Sequence, residues 1–107
     1  MNEIIFVYMT TGTPEDAQRI GAALVEQRLA ACVNWWSGMT SLYRWEGAVQ
    51  SDQEVVLVAK TTQDRYTALE AAVRELHPYD CPCIVAWPVP MGHAPFRDWL
   101  REQTHSG

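Results

Sequence analysis

The spacing of apolar residues changes several times along this chain, and each change marks an element boundary. Ile4-Ile5-Phe6-Val7-Tyr8-Met9 is a continuous run rich in β-branched and aromatic residues, closed by Thr10-Thr11-Gly12. It predicts a strand buried on both faces. Thr13-Pro14-Glu15-Asp16 follows with a hydroxyl N-cap, proline at the first helical position and acids facing the positive end of the dipole. Ala17, Ile20, Gly21, Leu24 and Val25 then recur at three- and four-residue spacing, predicting a helix to about Arg28 with that stripe on a sheet. Ala31–Trp36 and Thr40–Trp45 read as one long strand interrupted at Ser37-Gly38, where glycine suits a bulge. Glu46-Gly47 is a turn, and Glu54–Thr61 is a further strand, central because Val55 to Ala59 is unbroken. Thr62 caps a second helix carrying Tyr66, Leu69, Val73 and Leu76 on its buried side, and Pro78 stops it. Cys83–Trp87 is a last strand, and a terminal helix begins near Pro95 with Phe96, Trp99 and Leu100 on one side.

The order βαββαβ plus a helix fits a ferredoxin-like α/β (α+β) sandwich, with helices over one face of a four-stranded antiparallel sheet. The other face is then bare. Five tryptophans in 107 residues, three of them (Trp35, Trp36 and Trp45) in the long hairpin, are more aromatic surface than one covered layer hides. Contiguous apolar surface of that kind calls for a partner.

Length implies a single domain, residues 1–107. No secretory pattern precedes the first strand and no apolar run nears the roughly 20 residues of a membrane span, so a cytoplasmic location is expected. Three cysteines, with Cys81 and Cys83 too close to bridge comfortably, speak for reduced thiols rather than a disulfide scaffold. A net charge of −5 without a Lys/Arg cluster argues against nucleic acid or an anionic membrane as partner. A cation is the better electrostatic guest, although the same charge also simply keeps a protein soluble.

Chemistry concentrates in two segments. His77 sits between a helix end and Pro78, where an imidazole serves either as a ligand or proton carrier or as a charged cap on the helix dipole. In Cys81-Pro82-Cys83 two thiols two residues apart can reach one soft cation such as Cu(I) or Zn(II), or be small hydrophobes opening a strand. Glu54 and Lys60 share parity on one strand about 20 Å apart, too far to pair within it. No G-x-S-x-G elbow, phosphate loop or H-E-x-x-H is present, so no catalytic role and no organic cofactor are expected.

Ser41-Leu42-Tyr43-Arg44-Trp45-Glu46-Gly47, Glu54, Lys60-Thr61 and His77-Pro78-Tyr79-Asp80-Cys81-Pro82, with Ala30-Ala31-Cys32-Val33-Asn34 and Phe96-Arg97-Asp98-Trp99-Leu100, resemble the CutA family of divalent-cation tolerance proteins across almost the whole chain. The resemblance implies a homotrimer packed around a three-fold axis, with the hairpin reaching a neighbouring subunit, that binds copper or another divalent cation. It also implies an intersubunit cleft walled by Tyr43, Trp45, Glu54, Lys60 and Tyr79. With the Cys81 and Cys83 pair read from its own spacing, the candidate metal ligands are His77, Cys83, Cys81 and Met9, the last falling where some relatives carry a copper-linked cysteine; filling a core gap is Met9's other reading. Two departures from the family pattern bear on the metal. Leu76 stands where some relatives have a second histidine, and Cys83 stands where glutamate is common, replacing a hard ligand by a soft one. Likeness to the PII signal-transduction proteins in fold and assembly implies a rival, a small-molecule-binding trimer; a scaffold for another protein is a third reading.

Overall fold

Residues 3–105 are described in a computed structural model, and their element order is the expected one. The strands are β1 (Ile4–Thr11), β2 (Cys32–Trp45), β3 (Ala48–Thr62) and β4 (Ile84–Pro88); the helices are α1 (Pro14–Glu26), α2 (Tyr66–Leu76) and α3 (Ala94–Gln103). The sheet runs β2-β3-β1-β4, and every neighbouring pair is antiparallel. This is the ferredoxin-like arrangement, in which two split crossovers place α1 and α2 on one face.

Pleating assigns alternate residues to opposite faces. Val7, Met9, Leu57 and Ala59 have no exposed surface and form one core with Ala17, Ile20 and Leu24 of α1 and Leu69 and Val73 of α2. The backbones of α1 and β2 approach closely at Gly21, where a Cβ would lie 2.8 Å from Val33 Cγ2. Thr13 caps α1 as its sequence indicates, its Oγ1 accepting the Asp16 N–H at 3.1 Å. Val25, expected on the buried stripe, is instead exposed at the last turn. A short 3-10 turn, Gln63–Arg65, precedes α2. Thr62 does not cap it, because its buried hydroxyl is drawn to Asp64 Oδ1 at 2.6 Å.

The second face carries Phe6, Tyr8, Trp36, Val58, Lys60, Val85 and Trp87, as the pairings Phe6 with Lys60 and Trp87, Tyr8 with Val58 and Val85, and Trp36 with Val56 require. It is not bare throughout: α3 closes one end, burying Leu100 against Ile4 and Ala31 beside Phe6 and Val89. Arg97 Nη1 donates to the Val89 carbonyl at 2.7 Å, and Arg65 Nε to the Thr104 carbonyl at 2.6 Å, which pins both ends of that helix.

The register of β2 on β3 shifts between Trp36 and Met39, with Gly38 at φ 92°, so the interruption at Ser37-Gly38 is a bulge within a continuous strand. Glu46 (φ 50°) and Gly47 (φ 81°) form a two-residue reversal of the kind that matches strand twist. β3 begins at Ala48, six residues before the expected Glu54. Residues 48–53 lack an apolar strand pattern and are held by pairing alone, from Trp45 with Ala48 to Thr40 with Gln53. The resulting hairpin accounts for a long axis of 45 Å against 26 and 22 Å.

Candidate functional site

His77 leaves α2 with extended backbone, φ −77° and ψ 134°, as a residue before proline must. Its ring is buried and both nitrogens are engaged: Nε2 lies 2.8 Å from the Thr10 carbonyl, and Nδ1 accepts the Tyr79 N–H at 3.1 Å. An acceptor at Nδ1 and a donor at Nε2 describe a neutral imidazole tying α2 to the end of β1. This differs from the charged cap on the helix dipole, one of the two readings above, because burial has replaced water by two fixed hydrogen bonds. A metal at either nitrogen would displace one of them.

The Tyr79 ring packs on His77, with centroids 4.6 Å apart, and its hydroxyl lies where Gly12 leaves room; a Cβ on Gly12 would sit 3.0 Å from it. Burial first, and then the nearby carboxylates of Glu54, Asp52 and Asp16, hold the Tyr79 phenol above its ordinary range. Tyr43, on the hairpin, donates to Asp52 Oδ2, and this bond, more than any other cause, pushes its pKa up to about 12. Glu54 also lies near Cys83, whose thiol is raised by burial and then by that carboxylate. Tyr43, Glu54, Tyr79 and Cys83 therefore share one electrostatic neighbourhood where the hairpin leaves the sheet.

Other predicted residues fall elsewhere. Trp45 is exposed at the hairpin tip. Lys60 lies at the opposite end of the sheet, its Nζ 5.4 Å from the Phe6 ring centroid and 5.8 Å from that of Phe96. Met9 has no exposed surface and fills the helix-covered core, so its thioether has no route to a solvent cation; gap filling is its role here. Cys81 and Cys83 are free and exposed, which removes the reading of two buried hydrophobes. Cys32 is half-buried opposite Lys60 on the second face, with its thiol raised by burial although the ammonium acts the other way.

Sequence reasoning missed two participants. Asp52 shares parity with Glu54, so the same alternation would have found it had the strand been extended to Ala48. Met39, just beyond the bulge, takes the Tyr8 hydroxyl on its sulfur at 3.5 Å. Among the described residues no group of three or more His, Cys, Asp and Glu side chains is arranged to hold a metal. A closed four-ligand zinc site is thus not built by the described residues of one chain. An open groove of about 600 Å³ lies beside β4, lined by Ile5, Tyr66 and Trp87 among others, and contains none of the predicted ligands.

The family model described as CutA1 divalent ion tolerance protein matches residues 5–103. The chain belongs to the CutA family. It is 48% identical over 104 residues to "Divalent-cation tolerance protein CutA" of Thermus thermophilus, covering 97% of this chain and 99% of that one. It is 39% identical over 99 residues to human "Protein CutA", covering 92% of this chain but only 55% of the human protein, so it spans about half of that relative. A solved Thermus thermophilus structure, a divalent cation tolerance protein, superposes with a TM-score of 0.91 at 48% identity, covering 98% of this chain and 100% of that one. The Archaeoglobus fulgidus structure, called a periplasmic divalent cation tolerance protein CutA, gives a TM-score of 0.93 at 34% identity, with 95% and 99% covered. Membership in the CutA family supports a role in metal tolerance, and the CutA fold is the mixed, four-stranded antiparallel one described above.

Proposed function

We propose that this chain is a cytoplasmic homotrimer that binds copper or another divalent cation and acts in metal tolerance by holding the ion, without catalysis. The observation that carries the reading is the family match over residues 5–103, to relatives named for divalent-cation tolerance. Assembly is supported by the second sheet face, where Trp36, Val85 and Trp87 remain 53%, 54% and 42% exposed once α3 has closed one end. Burying that face against copies of itself removes water from three large apolar side chains per chain, at roughly 25 cal/mol for each Å² of apolar surface. Trp45 lies two residues beyond Tyr43 on the same face of β2, whereas Lys60 stands at the other end of the sheet from Tyr43, Glu54 and Tyr79, and a neighbour's hairpin would bring the separated residues into one cleft.

Calorimetric titration of the reduced, metal-free protein with Cu(I), Cu(II) and Zn(II) against a competing chelator, with mass read by light scattering, tests both halves. Saturable binding at a fixed ratio per trimer is expected. An assembled protein that binds none of the ions contradicts the metal role. One observation favours a second reading, an organic ligand in the cleft as in PII-like trimers: both His77 nitrogens are already hydrogen-bonded. That reading expects an intact trimer indifferent to all three metals.

A further inference from the structure

The three helices are anchored unequally. α1 buries Ala17, Ile20 and Leu24 and α2 buries Leu69 and Val73, all within the one core under the covered face. α3 buries Leu100 alone, in a separate small cluster with Ile4 and Ala31, and its two large aromatics, Phe96 and Trp99, remain exposed. No side chain caps its N-terminus, in contrast to Thr13 on α1, and residues 89–93 leading into it form no helix or strand. What fixes α3 is largely polar and lies at its ends. Arg65 Nε and Arg28 Nη1 reach from other elements to the carbonyls of Thr104, at 2.6 Å, and Gln103, at 3.2 Å, where the helix dipole is negative. Arg28 does so from a left-handed backbone, φ 60°, at a position after a helix where glycine is usual. At the other end, Arg97 Nη1 donates to the Val89 carbonyl.

We propose that α3 is a lid, hinged on residues 89–93, that opens as a unit and uncovers Lys60. The Lys60 ammonium is flanked by the Phe6 ring of β1, 5.4 Å away, and by the Phe96 ring of α3, 5.8 Å away. One wall of its aromatic slot therefore belongs to the lid. Among the described residues the one ion pair is Arg19 with Asp16, so no carboxylate holds Lys60 in place of the rings. Lifting α3 exchanges one ring for water around the ammonium, a small loss for a cation.

The separate cluster is what lets the lid move alone. Opening parts Leu100 from Ile4 and Ala31 and breaks the terminal latches, while the contacts of α1 and α2 with Val7, Met9, Leu57 and Ala59 are untouched. An element with little buried apolar contact and solvent-accessible latches opens below the free energy of global unfolding. In the open form the end of the second face gains an apolar strip, Ile4 and Ala31 beside Phe6, next to an ammonium in solvent. The lid thus sets how much of that face is presented, independently of any metal.

The test combines native-state hydrogen exchange at increasing denaturant with acylation by an N-hydroxysuccinimide ester of acetate, mapped by mass spectrometry. Lys60 is the only lysine of the chain, so its label is separable from that of the amino terminus. Amides of α3 should exchange through one shared opening, less protected than those of α1 and α2 and with a weaker denaturant dependence. Arg65→Ala should speed both α3 exchange and Lys60 acylation by roughly tenfold, the worth of a hydrogen bond from a charged donor. Thr13→Ala, which weakens the cap of α1 at comparable cost, should leave Lys60 acylation unchanged. Circular dichroism reports the fold of both variants. Protection of α3 equal to that of α1 and α2, or no change in Lys60 acylation in Arg65→Ala, overturns the lid. Equal acceleration by both variants overturns it too, because Lys60 is then reached by global unfolding.

Discussion

The two faces of the sheet are made by alternate residues of the same strands, yet they are finished differently. On one, Val7 and Met9 of β1 and Leu57 and Ala59 of β3 are sealed by α1 and α2. On the other, their immediate neighbours Tyr8, Val58 and Val85 lie outside the single end that α3 closes, and the tryptophans at 36 and 87 face solvent. Hydrophobicity is similar on both faces; the difference is whether the chain has helices to spare for them. The covered face encodes the fold. The open one leaves large apolar side chains in water, as the assembly proposed above requires, and the aromatic hairpin beyond the bulge extends it.

The comparison can be broken most severely from the covered side. Leu57→Ala removes a fully buried side chain between β3 and α1 and should cost about 2–5 kcal/mol in denaturant unfolding. Loss of under 0.5 kcal/mol would mean that this face is not the core. From the open side, Trp87→Ala should leave circular dichroism unchanged and weaken self-association by about 2 kcal/mol, measured by dilution in the ultracentrifuge. Equal dissociation of variant and wild type would detach Trp87 from assembly. Smaller still, Thr13→Ala removes the N-cap of α1 and should lower stability by about 1 kcal/mol, read as a shift in the denaturation midpoint.

The gentlest probe is the Tyr43 phenol, on the projecting hairpin. Its pKa is pushed up to about 12, chiefly by its bond to Asp52. Because the folded value lies above the ordinary value near 10, folding favours the protonated form, so the contribution is complete below pH 10 and is lost as pH rises through about 12. Ultraviolet titration of the phenolate should show a late step for Tyr43 that Asp52→Asn moves down toward pH 10. A Tyr43 that ionises at the same pH in both proteins would show that the hydrogen bond does not form in solution.

Much of this was legible in the chain because the informative signals are local. The Thr13-Pro14 cap, the Ser37-Gly38 bulge and the Glu46-Gly47 reversal all depend on a few adjacent residues, and each appears where the sequence puts it. The early start of β3 was not legible, since residues 48–53 become a strand only by pairing with residues 40–45. The site was harder to read for a related reason. His77 was recognisable as a helix-terminal imidazole, but its neutral, doubly bonded state depends on the Thr10 carbonyl, far away in sequence. Parity placed Glu54 and Lys60 on one face correctly, while only the fold separates the Tyr79 corner from the Phe6–Phe96 pair that receives the Lys60 ammonium. Side-chain alternation is written in sequence; which strands flank one another at each point is not.

Sedimentation equilibrium of the wild-type chain across a wide dilution series tests the central claim, that the open face is closed by copies of the same chain. A mass of three chains persisting to low concentration is the expected result. A monomer at every concentration, with Trp36 and Trp87 still in water, would contradict it.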